Sequence, residues 1–157
     1  VQEGKLDLAL VNMHFYEIDK LNSFTVMNDK IVFCVSKSHP LAKCHEVTIE
    51  MIKNEHLIMY NTDSVQNETL DTAFKRAGVN PNVILHASQL YTIRNFICNN
   101  LGGAFLYSSL QKNLSGTTGI PISPVINQNI GIVWKKGSYT TDSAEKFITY
   151  IINKYSN

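Results

Sequence analysis

The stretch that most constrains this chain is Val83–Tyr107, VILHASQLYTIRNFICNNLGGAFLY, which reads as strand, turn, helix, glycine turn and strand. Val83–Leu85 is a short apolar run typical of a buried strand. Ser88 stands where a helix N-cap is expected, and Gly102–Gly103 would end the helix in a left-handed conformation. Ala104–Tyr107 is the second strand. The helix itself is predicted from apolar residues at helical spacing, Leu90, Ile93, Ile97 and Leu101.

The first turn of this β-α-β unit is also a candidate ligand site. In open α/β sheets, ligands bind beyond the carboxyl ends of strands, near helix N-termini. Ala87, Ser88 and Gln89 occupy that position. Two interpretations stay open at this point: a ligand site, or an ordinary β-α-β unit that binds nothing.

Charge and cysteine content narrow the classes of function. The 157 residues include 14 basic and 13 acidic side chains, a formal net charge of +1, without a lysine/arginine run. This segment by itself is therefore a poor candidate for binding DNA. Three cysteines, none in a CxxC pair, favour a reducing cytoplasm over a disulfide framework. No apolar run approaches the roughly 20 residues that span a bilayer.

The start of the chain reads as strands joined by loops. Leu6–Val11 is almost continuously apolar, which predicts a parallel strand buried on both faces. Because such a strand needs neighbours, we expect the chain to be the C-terminal part of a longer protein. Residues 15–23 read as a loop. Phe24–Met27 and Ile31–Ser36 are predicted strands, with Asn28-Asp29 as the turn between them.

The later elements alternate between helix and strand. Thr48 is expected to cap a short helix over Ile49–Asn54, and a longer helix over about 66–77 is expected to end at Gly78. Asp142 followed by Glu145 resembles a capping box at the start of the C-terminal helix. The remaining predicted strands and extended segments are Leu57–Tyr60, Ile120–Ile126 and Ile130–Trp134.

Several segments, in this order, resemble the effector-binding domain of LysR-type transcriptional regulators. They are Gly4–Leu10, Ile31–Val35, His39–Ala42, Phe74–Pro81, Leu101–Leu106 and Ile132–Lys136, with Phe147-Ile148 after them. The resemblance implies an α/β, periplasmic-binding-protein type 2-like fold with two Rossmann-like lobes, the first lobe incomplete, and an inducer in the cleft between lobes. It places residues 1–23 and 130–157 in the remnant of lobe I and residues 24–129 in lobe II.

Two features depart from the family pattern. The matching segments include neither the winged helix-turn-helix with its linker helix nor the first strand–helix–strand of lobe I, so contact with DNA is expected only through a domain outside this chain. Tyr107-Ser108 replaces the proline that usually follows the glycine-rich strand, which leaves the loop shape open. The resemblance implies a bacterial, cytoplasmic, homo-oligomeric regulator that senses a small molecule.

Three polar turns are expected to converge on the cleft: Asn12-Met13-His14, Asn61-Thr62-Asp63-Ser64, and Ser88-Gln89 with Thr92. The last two turns precede helices, whose N-terminal amides and dipole favour an anionic group. We therefore expect an organic acid as inducer, whereas Asp63 would suit the ammonium group of an amino acid. Ser64 and Ser88 could equally serve only as helix caps.

Catalytic and metal-binding patterns are weak. The sequence contains no GxSxG, HExxH or P-loop motif. Cys34, His39, Cys44 and His45 are close in sequence, but Cys34 falls in an apolar strand and the spacing lacks the paired CxxC of zinc sites. We expect no catalytic activity, no metal and no cofactor. The alternatives are an enzyme or a solute-binding protein on the same two-lobed fold.

The two ends of the chain predict assembly. If the chain folds alone, an apolar stripe on the C-terminal helix and an open edge at Leu6–Val11 would stay uncovered, and such surfaces attract partners. We expect a homodimer or higher oligomer that forms by strand pairing or exchange between chains, with contacts at Leu6–Val11, Ile130–Trp134 or the C-terminal helix. The alternative is a monomer in which residues 24–129 carry most of the stability. The stripe consists of Ala144, Phe147, Ile148, Ile151, Ile152 and Tyr155.

Overall fold

The structure, a computed structural model, describes residues 1–13, 20–62, 64–137 and 141–156. The chain forms two compact units. Unit 1 comprises Val1–Asp29 and Asn127–Asn157, and unit 2 comprises Lys30–Ile126. The sequence had set the lobe boundaries at 23/24 and 129/130, and the assignment of these units to lobes I and II stays a prediction.

In the middle of the chain, strands alternate with helices, as expected for an α/β protein. The strands are β1 (Leu8–Asn12), β2 (Leu21–Ser36), β3 (Val47–Thr48), β4 (Leu57–Met59), β5 (Val83–His86), β6 (Gly103–Tyr107), β7 (Thr117–Ser123) and β8 (Asn127–Lys135). The α-helices are α1 (Val65–Ala77), α2 (Leu90–Cys98), α3 (Ser108–Gln111) and α4 (Asp142–Tyr155), and a short 3-10 helix covers Pro40–Lys43. None of the helices in the described part of the chain is long and apolar enough to cross a membrane.

Unit 1 is built on three strand segments and α4. Strand β1 pairs antiparallel with β8, so that Leu8 lies opposite Trp134, and β8 pairs with β2 on its other side. The prediction of a parallel strand at Leu6–Val11, buried on both faces, is therefore wrong. Leu10 is 65% exposed, because β1 lies at the edge of the described sheet. An apolar run does not by itself specify the direction of pairing.

Strand β2 is one continuous strand of 16 residues that runs through both units. The prediction of two short strands with a turn at Asn28-Asp29 is wrong. The first half of β2 belongs to the sheet of unit 1, and its second half pairs with β6 and β7 in unit 2. This pairing in both units keeps the backbone extended across two residues that usually favour turns. Of the predicted loop at 15–23, residues 15–19 lie outside the described residues. Residues 21–23 belong to β2, so the prediction is wrong there.

Unit 2 contains a six-stranded sheet in the order β3-β7-β2-β6-β4-β5. Strand β4 runs parallel to both β5 and β6. One hydrophobic cluster includes Phe33, Phe74 and Phe105, and a second includes Ile93 and Ile97 of α2. Two separate clusters of buried side chains therefore stabilise the sheet that carries the candidate site.

The glycines after α2 act differently from the prediction. The left-handed residue is Asn100, with a φ of 55°, whereas Gly102 and Gly103 do not have positive φ angles. A Cβ at Gly102 would lie 2.7 Å from the His56 carbonyl oxygen, and a Cβ at Gly103 would clash with the Phe33 ring. These glycines are therefore needed for close packing, not for ending the helix. At Gly78, by contrast, the φ of 66° confirms the predicted left-handed end of α1.

Two further helix starts also differ from the prediction. Thr48 Oγ1 accepts a hydrogen bond from the Met51 amide at 3.3 Å, as a cap would, but residues 49–54 form successive turns instead of an α-helix. The N-cap of α4 is Thr141, whose Oγ1 accepts from the Ala144 amide at 3.3 Å. Asp142 is the first helical residue and not the cap. The N-cap of α4 therefore lies one position before the predicted one.

Candidate functional site

The candidate site lies in unit 2, where β4 and β5 end side by side. The two strands are parallel, and Met59 lies opposite His86 at their carboxyl ends. The connection continues past the strands, because the Ala87 amide donates to the Met59 carbonyl at 2.9 Å and His86 Nδ1 donates to the Tyr60 carbonyl at 2.9 Å. The turn before α1 and the turn before α2 are therefore neighbours, as the sequence had suggested.

The turn before α1 includes Asn61, Thr62 and Ser64. Asn61 and Thr62 are exposed, and Ser64 is half-buried. Ser64 is the N-cap of α1, because its Oγ accepts from the Asn67 amide at 3.2 Å. Ser64 therefore serves as a helix cap, and this hydrogen bond occupies one of the amides of the first turn.

The turn before α2 differs, because that helix begins one residue later than predicted. Its N-cap is Gln89, not Ser88, and the Gln89 side chain accepts no hydrogen bond from the first turn. Ser88 and Gln89 are exposed, and Thr92 is half-buried in the first turn. With no side-chain cap, the N-terminal amides of α2 stay available to an external acceptor.

A third parallel strand, β6, ends at the same edge. The strand itself was predicted, but its place beside the candidate site was not. Leu57 and Ile58 of β4 pair with Gly103 and Ala104, so the carboxyl end of β6 lies beside that of β4. Burial raises the pKa of Tyr60, and the nearby Tyr107 raises that pKa further. The sequence signal for the Tyr107 phenol was the replacement of the family's proline by Tyr107-Ser108.

Gln66 was also missed. It is 5% exposed, and its Nε2 donates to the Phe105 carbonyl at 2.6 Å. Gln66 extends the stripe of Leu70 and Phe74 back by one turn of α1, since the three residues are four positions apart. A polar residue at an apolar position of that stripe was the available signal.

Two predicted site residues, Asn12 and Met13, belong to unit 1. Asn12 ends β1, and its Nδ2 donates to Oε1 of Gln128, which is fully buried. The Met13 side chain packs beside Gly131, where an added Cβ would lie 2.7 Å from its sulfur. His14 and Asp63 lie outside the described residues, so the predictions made for them stay predictions.

The four residues considered for zinc do not share one environment. Cys34 is fully buried in β2, and burial raises the pKa of its thiol from 9.0 to about 11. His39 Nδ1 accepts from the Leu41 amide at 3.2 Å, and its Nε2 lies 3.3 Å from a Glu55 carboxylate oxygen. His39 thus caps the 3-10 helix. Within the ranges that the structure describes, no group of three or more His, Cys, Asp or Glu side chains could hold a metal ion.

Polar turns and helix N-termini at the strand ends of a mixed α/β sheet are typical of domains that bind small molecules. Residues 1–156 match the family model described as the LysR substrate binding domain, and the chain belongs to that family. It is 27% identical over 157 residues to the HTH-type transcriptional regulator YybE of Bacillus subtilis, covering 99% of this chain and 53% of YybE. It is 29% identical to YwbI of the same organism, covering 96% of this chain and 50% of YwbI. The chain thus spans about half the length of these regulators.

Solved structures give the fold. The CcmR regulatory domain of Synechocystis PCC6803, in complex with 2-PG, matches with a TM-score of 0.87 and 21% identity, over 99% of this chain and 76% of that one. The effector-binding domain of QuiR, in complex with shikimate, matches with a TM-score of 0.81 and 16% identity, over 99% and 74% of the two chains. The chain therefore has the type 2 periplasmic-binding-protein-like fold of LysR regulatory domains, as predicted. This is a family of transcriptional-regulator domains and not a family of enzymes.

Proposed function

We propose that unit 2 binds a small polar metabolite at the edge where β4 and β5 end. One observation carries this proposal: the N-termini of α1 and α2 follow two adjacent parallel strands, with Met59 opposite His86. The proposed ligand-contacting residues are Asn61, Thr62, Ser64, Ser88, Gln89 and Thr92 of unit 2. Asn12 and Met13 of unit 1 stay predictions made from the sequence.

The N-termini of α1 and α2 differ in capping, and we assign them different roles in binding the ligand. The α1 start is already capped by Ser64, whereas the α2 start has no side-chain cap. A carboxylate of the ligand would accept from the α2 amides and from the exposed Ser88 hydroxyl, with support from the helix dipole. Thr62 and Asn61 would bind the polar groups at the other end. An organic acid or an amino acid fits this arrangement.

In the whole protein, this ligand would control DNA binding by a winged helix-turn-helix outside the chain. The HTH-type regulators YybE and YwbI support this assignment, because the chain matches about half of each. The structures of CcmR with 2-PG and QuiR with shikimate support a small-molecule effector. The regulator would work in the cytoplasm of a bacterium and catalyse no reaction, with no metal or cofactor.

A thermal-shift screen of amino acids and organic acids tests the site. A saturating ligand at 100 times its dissociation constant adds about 2.7 kcal/mol of stability. Ser88→Ala and Thr62→Ala should each weaken a true ligand by about 1–3 kcal/mol, as expected for the loss of a hydrogen bond in a binding site. Thr72→Ala is the matched control, because the Thr72 hydroxyl donates to the Glu68 carbonyl of its own helix at 3.0 Å and Thr72 is not a proposed ligand contact. If a ligand binds both site variants as tightly as it binds the wild type, the binding site lies elsewhere.

We also propose that the chain forms a homo-oligomer through the edge of β1. Strand β1 is the last strand on its side of the described sheet, and Leu6 and Leu10 are 61% and 65% exposed. Pairing with a second chain would extend the described sheet at this edge and cover both leucines. Light scattering after gel filtration should give a dimer or larger species that Leu10→Lys disrupts. Leu110→Lys, at an exposed leucine of unit 2, should leave it intact. A wild-type monomer across micromolar concentrations would contradict the proposal.

A further inference from the structure

The first turn of α1 contains a polar group that the site described so far does not use. Gln66 is 5% exposed and lies on the same stripe of α1 as Leu70 and Phe74, which are both buried. Its Nε2 donates to the Phe105 carbonyl at 2.6 Å. Phe105 lies two residues before β6 ends at Tyr107. The Gln66 amide is therefore held at the carboxyl ends of β4 and β6, beside the turn that contains Thr62 and Ser64.

The bond to Phe105 fixes which amide atom faces which way. A backbone carbonyl can only accept, so the atom that bonds it must be Nε2, and Oε1 is left as a free acceptor. No hydrogen bond to Gln66 Oε1 is found within the described residues. The single enclosed side-chain polar atom without a partner in those residues is Asn67 Oδ1. Gln66 Oε1 is therefore partly accessible from outside the core.

An acceptor in this place is selective for what approaches it. A buried carbonyl oxygen gains a hydrogen bond from a hydroxyl or amino group, but it offers nothing to a carboxylate or a methylene and loses its water when either covers it. We propose that Gln66 is a specificity-determining residue that recognises a hydroxyl group on the ligand. This inference rests on the proposed function, because it assigns Gln66 to the same site.

Matched acids that differ by one hydroxyl test the proposal by titration calorimetry on the whole 157-residue chain. The pairs are L-malate with succinate, glycolate with acetate, and L-serine with L-alanine. The wild type should bind the hydroxylated member of at least one pair about tenfold more tightly, as one satisfied hydrogen bond predicts. Gln66→Met should reduce that ratio to about one while leaving the affinity for the plain member unchanged.

Gln111→Met is the matched control. Gln111 also donates from Nε2 to a backbone carbonyl of unit 2, that of Thr117, at 3.5 Å, and its replacement should leave the ratio intact. If Gln66→Met fails to fold, Gln66→Leu takes its place, because leucine matches the buried stripe of Leu70 and Phe74 and also lacks the acceptor oxygen. It should likewise reduce the ratio to about one.

The outcomes separate this inference from the proposed function. An unchanged ratio in Gln66→Met, or no preference in the wild type, would overturn the role of Gln66 while the site stands. Ser88→Ala should weaken both members of a pair equally, because it acts on the shared carboxylate. A chain that binds no member of any pair would contradict both the site and the role of Gln66.

Discussion

Units 1 and 2 contain the same kinds of elements but bury them to different degrees. In unit 2, every residue of β2 from Ile31 to Ser36 is buried, and β6 is buried from Gly103 to Leu106. In unit 1, Leu10 of β1 and Phe147 of α4 are 65% and 46% exposed, although both lie in strongly apolar segments. The buried hydrophobic residues described in unit 1 are only Leu21, Ile132, Val133, Ala144 and Ile148. An apolar pattern thus predicts burial only where a neighbouring element covers it.

This difference bears on both stability and function. Burial of apolar area is the main favourable term in folding, so unit 2 is expected to carry most of the stability of the chain. Regions with few buried apolar contacts open more easily. The candidate site lies on the well-covered unit, where rigid strands can hold polar turns in fixed positions. Unit 1 presents the surfaces that we assign to assembly.

The largest expected effect is the loss of a core aromatic residue in unit 2. Phe105 is 2% exposed, and its ring lies 5.3 Å from the Phe33 ring and 5.9 Å from the Phe74 ring. Phe105→Ala should lower the free energy of unfolding by about 3–5 kcal/mol. Phe147→Ala, at the half-exposed phenylalanine of unit 1, should cost less than about 1 kcal/mol. Urea unfolding measures both. Equal losses would show that the two units contribute alike.

The sequence was most informative where local rules and burial agree. Helix α1 was predicted with its glycine end at Gly78, because its stripe, its cap and its C-terminal glycine all fall inside one covered unit. The continuous β2 could not be predicted, since pairing with strands from distant parts of the chain overrides the turn preference of Asn28-Asp29. The close contacts at Gly102 and Gly103 were equally hidden, because they depend on His56 and Phe33.

For the site, the neighbouring turns at Asn61–Ser64 and Ser88-Gln89 could be predicted from chain order alone. Parallel strands followed by helices place such turns at one sheet edge. The start of α2 was misplaced by one residue, because Ser88 is a better intrinsic cap than Gln89. Gln66 and Tyr107 could not be assigned, since their positions depend on the pairing of β4 with β6.

The second prediction concerns the stability of unit 2 at alkaline pH. This unit contains all three cysteines. Burial raises the pKa of the Cys34 thiol from 9.0 to about 11. The folded state thus favours the protonated thiol, and this stabilisation is complete below about pH 9 and is lost as the pH rises through about 11. A shift of this size corresponds to about 2–3 kcal/mol.

The free energies of unfolding of the wild type and of Cys34→Val, measured near pH 8 and near pH 11, isolate the contribution of this thiol. The difference between the two proteins should shrink at the higher pH, because the wild type alone loses the thiol contribution. Val35→Ala, at a buried residue of β2 that has no titratable side chain, should show a pH-independent difference. A difference for Cys34→Val that also stays constant with pH would contradict the pKa argument.

The third prediction compares one glycine in each unit. A Cβ at Gly103 would clash with the Phe33 ring, and a Cβ at Gly131 would lie 2.5 Å from the Phe24 carbonyl oxygen. Each substitution by alanine should cost about 1–3 kcal/mol through overpacking. Phe33→Leu should relieve part of the Gly103→Ala cost, because it shortens the obstructing side chain. Met13→Ala, which removes the sulfur 2.7 Å from the added Cβ, should relieve less of the Gly131→Ala cost, since the Phe24 carbonyl oxygen is backbone and stays in the way. Double-mutant cycles in urea decide, and equal rescue in both units would refute this account.

The smallest expected effects come from the helix caps, and they give the sharpest test of whether the two units open together. Ser64 caps α1 with a bond of 3.2 Å from the Asn67 amide, and Thr141 caps α4 with a bond of 3.3 Å from the Ala144 amide. Ser64→Ala and Thr141→Ala should each cost about 1 kcal/mol. Thr141 also donates to an Asp7 carboxylate oxygen at 3.1 Å, a surface bond that adds little.

If unit 1 opens on its own, Thr141→Ala should speed hydrogen exchange about fivefold at α4 and leave the core amides of β2 and β6 unchanged. Ser64→Ala should instead speed exchange at the core amides of unit 2, where opening requires loss of the main hydrophobic clusters. Asp7→Asn serves as the control, because it keeps the cap and removes only the charge. Equal acceleration in both units for Thr141→Ala would mean that the chain unfolds as one cooperative body, and the weaker burial of unit 1 would then have no separate consequence.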